Sequence, residues 1–68
     1  MITIWYIYKS KLSGKWIHSS RTFKDKRMAL RFLYKMNPIA VIEGWSCDDQ
    51  YDNEWLNQRF HVKGGQNV

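Results

Sequence analysis

The spacing of the apolar residues changes at Asp25. Before Asp25, β-branched and aromatic residues are dense in two runs, Ile2 to Lys9 and Lys15 to Phe23, and each run predicts a strand. After Asp25, apolar residues recur at i, i+3, i+4 and i+7, which is the stripe of an amphipathic helix. The residues of this stripe are Ala29, Phe32, Leu33 and Met36. Two strands followed by a helix predict a small α+β domain.

Local signals mark where these elements begin and end. The segment from Ser10 to Gly14 carries turn residues, and Gly14 can adopt a positive φ, so the two strands are predicted to form an antiparallel hairpin. Asp25 is a good N-cap for the helix. Asn37-Pro38 ends it, because the residue before a proline disfavours the α conformation.

A third strand is predicted over Ile39 to Trp45. In this strand Ile39, Val41 and Glu43 alternate with the residues of the opposite face, Ala40, Ile42 and Gly44. The sequence thus predicts a small antiparallel sheet with one amphipathic helix, in the order β-β-α-β plus a short C-terminal helix or strand. A single domain is expected over residues 1–62, followed by a flexible tail over residues 63–68 that contains Gly64-Gly65.

The segment from Asp48 to Phe60 is open to two interpretations. A helix starting near Asp52 would turn Tyr51, Trp55 and Leu56 inward. Alternation of apolar residues would instead make a fourth strand, through Leu56, Gln58, Phe60 and Val62. We favour the helix because the aspartates of this segment suit helix caps, and because Glu54 suits the positive end of a helix dipole.

Both faces of the first strand are apolar, which is unusual for a sheet with one side in solvent. One face carries Ile2, Ile4, Tyr6 and Tyr8, and the other carries Thr3, Trp5, Ile7 and Lys9. If the helix covers the first face, the second stays exposed together with its partners on the next strand. If it covers the second, Tyr6, Tyr8, Trp16 and His18 are exposed. In a third arrangement the C-terminal segment covers the second face, and both faces become core.

Charge is distributed unevenly along the 68 residues, whose net charge is +5. The segment from Lys9 to Lys35 carries nine cations and one anion, whereas residues 36–68 carry two cations and five anions. Such polarity favours a polyanionic partner at one side of the molecule. The alternative is that these cations only keep a small aromatic-rich domain soluble.

Catalytic and metal sites are not predicted. A single cysteine, Cys47, excludes an internal disulfide and a cysteine-based zinc site, and no metal-ligand spacing occurs. Cys47 could act as a nucleophile only with His18 or His61 nearby, which no spacing indicates. We therefore expect no cofactor and no enzymatic activity.

Membrane insertion and secretion are not predicted either. The longest uncharged run, Met1 to Tyr8, is far shorter than the ~20 residues that span a bilayer. No basic region precedes it and no cleavage site follows it, so we expect a cytoplasmic protein without a membrane partner.

Two short segments of the sequence resemble motifs of a known family. Gly14-Lys15-Trp16 lies in the hairpin, and Phe23-Lys24-Asp25-Lys26-Arg27 leads into the helix with Ala29, Phe32 and Leu33. Over residues 6–36 the chain resembles the arm-type, AP2-like DNA-binding domain of phage and transposon integrases. That family has three strands before its helix, whereas this chain has room for two. The resemblance implies backbone contacts to DNA from Lys11, Lys15, Trp16 and Arg21.

The sequence therefore predicts a small, basic, phage-like nucleic-acid-binding module, with DNA favoured over RNA, that uses its hairpin and a basic helix edge. The predicted nucleic-acid contacts are Lys9, Lys11, Lys15, Trp16, Arg21, Lys24, Arg27 and Arg31. Eleven aromatic residues, four of them tryptophan, also suit an adaptor or inhibitor that binds a host protein. The residues predicted for such a partner are Trp5 and Tyr8. For either function, the protein is expected to be a monomer or a homodimer.

Overall fold

A computed structural model of the protein describes residues 1–60, and it confirms the predicted α+β fold and element order. The elements are β1 (Ile2–Lys9), β2 (Trp16–Phe23), α1 (Lys26–Met36), β3 (Ala40–Cys47) and α2 (Gln50–Arg59). The strands form one antiparallel sheet in the order β2-β1-β3. No helix within residues 1–60 is both long enough and apolar enough to cross a membrane. The flexible tail predicted over residues 63–68 lies outside the described residues.

The β1–β2 hairpin is built as its turn residues predict. The strands pair without interruption from Ile2 opposite Phe23 to Lys9 opposite Trp16. In the loop, the Ser10 hydroxyl accepts hydrogen bonds from the backbone N–H groups of Leu12 and Ser13, both at 3.3 Å. Gly14 has a φ of 72°, a conformation that glycine adopts without strain.

Aspartates cap both helices at their N-terminal ends. The Asp25 side chain accepts a hydrogen bond from the Arg27 N–H at 3.1 Å, which confirms the predicted start of α1. The Asp49 side chain accepts one from the Tyr51 N–H at 2.8 Å, so α2 begins earlier than the predicted start near Asp52. The segment is a helix rather than a strand as far as Arg59. Leu56 is buried as predicted, but the inward position predicted for Tyr51 is wrong, since its side chain is 79% exposed.

Both helices pack on the same side of the sheet. They cover the β1 face that carries Ile2 and Ile4, and the buried core is Ile2, Ile4, Tyr6, Ala29, Leu33, Ile42, Leu56 and Phe60. Aromatic contacts extend this core: the ring centroids of Tyr6 and Phe32 lie 5.3 Å apart, and those of Trp45 and Phe60 lie 5.9 Å apart. The predicted alternative in which the C-terminal segment covers the other face is therefore wrong for residues up to Phe60.

A β-bulge in β3 changes the predicted alternation of that strand. Trp5 pairs with Gly44 and Tyr6 pairs with Ile42, so Glu43 is the extra residue. The sequence pattern predicts that Gly44 shares the face of Ile42. That prediction is wrong, because the bulge places the two residues on opposite faces. Trp45 returns to the helix side, where its indole N–H donates a hydrogen bond to Asn53 Oδ1 at 3.1 Å.

Candidate nucleic-acid interface

The sheet side that faces away from the helices, which we call the open face, is covered by no element within residues 1–60. Its residues are Thr3, Trp5, Ile7 and Lys9 on β1, Trp16, His18, Ser20 and Thr22 on β2, and Val41, Glu43 and Ser46 on β3. The side chain of Trp5 is 43% exposed and that of Trp16 is 57% exposed. The open face therefore presents two indole rings to solvent.

The strand register fixes the arrangement of these rings. Lys9 lies directly opposite Trp16, and Ile7 lies directly opposite His18. Trp5, His18 and Trp16 therefore form a diagonal row across β1 and β2. At about 3.4 Å per residue along a strand, the two tryptophans at the ends of this row are roughly 14 Å apart.

One carboxylate lies on the open face. Glu43 projects there because of the bulge, and its Oε1 lies 3.4 Å from His18 Nδ1, across the central strand. The ion pair exists only when the imidazole is protonated. The sequence did not predict this contact because it depends on the bulge. The prediction that Trp16 and His18 share a face with Tyr6 and Tyr8 is also wrong, since the hairpin register places them on the face of Trp5.

The hairpin end of the molecule, by which we mean Lys9 to Trp16, is cationic. Lys11 and Lys15 lie in its loop, both exposed, and Lys9 projects from the adjoining end of β1. A shallow groove of about 440 Å³ separates the loop from Met36, at the end of α1, and from Ile39, just before β3. Among residues 1–60 no Asp or Glu belongs to this end, so its potential is positive.

The two residues predicted to contact a protein partner lie on opposite sides of the sheet. Trp5 is on the open face, whereas Tyr8 faces the helices, with its ring centroid 6.1 Å from that of Tyr6. Tyr8 also lines the groove beside the hairpin loop. A partner protein that binds the open face with a flat surface would therefore contact Trp5 but not Tyr8.

The predicted nucleic-acid contacts also divide into two groups. Lys9, Lys11, Lys15 and Trp16 belong to the hairpin end. Arg21 lies on the helix side of β2, its guanidinium carbon 5.6 Å from the Phe32 ring centroid, and Lys24 lies at the opposite end of β2 from the hairpin loop. Arg27 and Arg31 lie on the outer side of α1, about 160° around the helix from Ala29 and Leu33. The hairpin and the basic helix edge therefore do not form one continuous surface.

The structure does not bring the thiol and imidazole considered for catalysis together. Cys47 pairs with Ile2 on the helix side, whereas His18 pairs with Ile7 on the open face. The alternative partner, His61, lies outside the described residues. Residues 1–60 contain no group of three His, Cys, Asp or Glu side chains placed to hold a metal ion.

No protein family, curated protein or solved structure was found to match the chain. The resemblance to the integrase DNA-binding domain therefore stays a prediction. The open face and the hairpin end are the features from which a function can be argued.

Proposed function

We propose that the protein binds nucleic acid, with DNA favoured over RNA, through the open face and the hairpin end. The observation that supports this proposal is the cross-strand pair of Lys9 and the exposed Trp16, with Lys11 and Lys15 in the adjoining loop. Ammonium groups bind phosphates, and exposed aromatic rings stack on bases or pack on sugars. Such a protein acts in the cytoplasm as a binding module, not as an enzyme, and needs no cofactor.

Charge on this surface suits a polyanion. Three lysines lie at the hairpin end, while the carboxylate described on the open face, that of Glu43, lies beside His18. The carboxylates of Asp48, Asp49 and Asp52 lie near the other end of the sheet, where β3 ends and α2 begins. The hairpin end therefore attracts a nucleic acid more strongly than the opposite end, where Asp48 lies beside the Met1 amine and Asp52 beside Lys26.

Two charge-matched triple variants test the proposal. The first changes Lys9, Lys11 and Lys15 to Gln at the hairpin end. The second changes Arg27, Arg31 and Lys35 to Gln on α1. Both lower the net charge by three, so they differ only in where charge is removed. Binding of a fluorescently labelled oligonucleotide is measured by anisotropy at several salt concentrations.

We expect the hairpin variant to lose most of its affinity and the α1 variant to lose little. If three phosphates are contacted, the slope of log K against log salt becomes shallower by about 2 to 3 in the hairpin variant. Absence of binding by the unchanged protein at low salt would contradict the proposed function. Equal losses in both variants would show that binding follows the total charge rather than this surface.

A second candidate function is supported by the exposed tryptophans and by the outer edge of β2, which no other strand of residues 1–60 pairs with. Indole rings are frequent anchors of protein interfaces, and an open strand edge can pair with another chain. A phage- or mobile-element-type adaptor or inhibitor of a host protein would use both features. Partners recovered on the immobilised protein after nuclease treatment, and lost with Trp5→Ala, would favour this function over nucleic-acid binding.

A further inference from the structure

We infer that the ligand of the open face is single-stranded rather than duplex nucleic acid, an inference that rests on the proposed function. The open face presents flat aromatic surfaces, those of Trp5, His18 and Trp16, in one diagonal row. Aromatic rings stack on the faces of bases. Those faces are accessible in a single strand, whereas a duplex buries them in its own base stack and exposes only base edges and backbone.

The described open face carries few of the polar groups that read a duplex. Base edges in the major groove are read mainly by Arg, Lys, Asn and Gln side chains. The open face carries one such residue, Lys9, and its other polar groups are hydroxyls, His18 and the carboxylate of Glu43.

The arginines of residues 1–60 are elsewhere in the fold. Arg21 lies over Phe32 on the helix side, and Arg59 lies 4.1 Å from the ring centroid of Trp55 on α2. Arg27 and Arg31 are on the outer side of α1. A duplex that rested on the open face would therefore meet few donors suited to its grooves, and a duplex held by α1 would leave the exposed tryptophans unused.

The cations lie where a single strand would need them. Lys9 adjoins Trp16 at one end of the aromatic row, and Lys11 and Lys15 extend the positive charge beyond it. A strand that stacks bases along the roughly 14 Å row can therefore continue toward the lysines with its phosphates. A few nucleotides are enough to make all of these contacts.

The test compares a labelled oligothymidine of about 12 nucleotides, within the range of single-strand sites on small domains, with a duplex of equal length. Trp5→Ala and Trp16→Ala each remove one ring from the open face. Tyr51→Ala is the control, because it removes an exposed ring from α2, away from the sheet. Circular dichroism verifies that each variant is folded, and Trp5→Phe and Trp16→Phe replace any alanine variant that is not.

We expect the single strand to bind more tightly than the duplex. Each tryptophan-to-alanine variant should weaken single-strand binding roughly fivefold to a hundredfold. The phenylalanine variants should retain part of the lost affinity, and Tyr51→Ala should bind like the unchanged protein. Quenching of intrinsic fluorescence by the oligonucleotide should decrease when Trp5 or Trp16 is removed.

Equal or tighter binding of the duplex would overturn the single-strand inference while leaving the proposed function in place. Tryptophan variants that are folded and bind normally would overturn it as well, because the rings would then not contact the ligand. Failure to bind either oligonucleotide at low salt would overturn the proposed function itself and would favour a protein partner for the open face.

Discussion

Cys47 shows how one residue's position decides its chemistry. It lies at the end of β3 on the helix side and is partly buried. Burial raises the pKa of the Cys47 thiol above its ordinary value, and the carboxylate of Asp52 raises it further. The carboxylates of Asp48 and Asp49 act in the same direction to a smaller extent, while the terminal amine of Met1 opposes them. The thiol is therefore protonated at neutral pH and is a weak nucleophile.

We predict that Cys47 reacts slowly with a disulfide reagent such as DTNB at pH 7 to 8. Its rate should increase with pH along a curve whose midpoint lies above the ordinary cysteine pKa. Because folding raises this pKa, the thiol's contribution to stability is complete below the ordinary cysteine pKa and is lost as pH rises through the folded value. A reaction midpoint below that of a cysteine in the urea-unfolded chain would contradict this account.

At the scale of elements, the N-terminal end of α2 offers a direct comparison of two neighbouring aspartates. Asp49 caps the helix by accepting the Tyr51 N–H, whereas Asp48 is exposed and lies 3.3 Å from the terminal amine of Met1. Asp49→Ala should reduce the free energy of unfolding by about 1 kcal/mol. In a domain of this size that corresponds to a decrease of roughly 4–8 °C in Tm.

Asp48→Ala removes the same charge from the same region without removing a cap. A surface ion pair of this kind contributes little, so its Tm should change by much less than that of Asp49→Ala. Thermal unfolding followed by circular dichroism measures both variants. Equal decreases in the two would show that charge near the helix end, and not the capping hydrogen bond, stabilises α2.

Elements set by local sequence could be predicted, and those set by tertiary contacts could not. Gly14 and Asp25 carry their own conformational preferences, so the hairpin turn and the start of α1 follow from the residues themselves. The bulge at Glu43 depends on how β3 pairs with β1, and Gly44 within the strand pattern is a local signal for it that leaves its exact position open. The outward position of Tyr51 follows from α2 extending back to Gln50, since Tyr51 then lies about 140° around the helix from the buried Leu56.

At the scale of the whole molecule, the sequence left open which face of β1 becomes core, because both faces are apolar. The structure places both helices on one face, since Leu33 of α1 and Leu56 of α2 pack with Ile2 and Ile4 in one cluster. Trp5 and Trp16 consequently remain exposed, and the basic α1 surface is separated from the hairpin lysines. The candidate residues could thus be named from the sequence, but their division between two surfaces required the fold.

The same architecture predicts how the backbone exchanges hydrogen with solvent. Within the described part of the chain, β1 is hydrogen-bonded to a strand on each side, whereas β2 is bonded on one side only and directs alternate amides toward a free edge. In a monomer the β1 amides should exchange only through global unfolding, and the edge amides of β2 should exchange far faster. His18 and Arg21 make this edge polar, so self-association through it would bury little apolar surface.

Residue-resolved hydrogen exchange, with molar mass measured by light scattering on the same sample, checks this prediction. Fast exchange at alternate β2 positions together with the mass of one chain would establish a monomer with a free edge. Uniformly slow exchange along β2 with a doubled mass would instead show that two copies join their sheets through this strand. In that dimer the two open faces would lie side by side, and one nucleic-acid strand would cross both rows of rings. The number of nucleotides bound per chain is therefore a second measurement that distinguishes the monomer from the dimer.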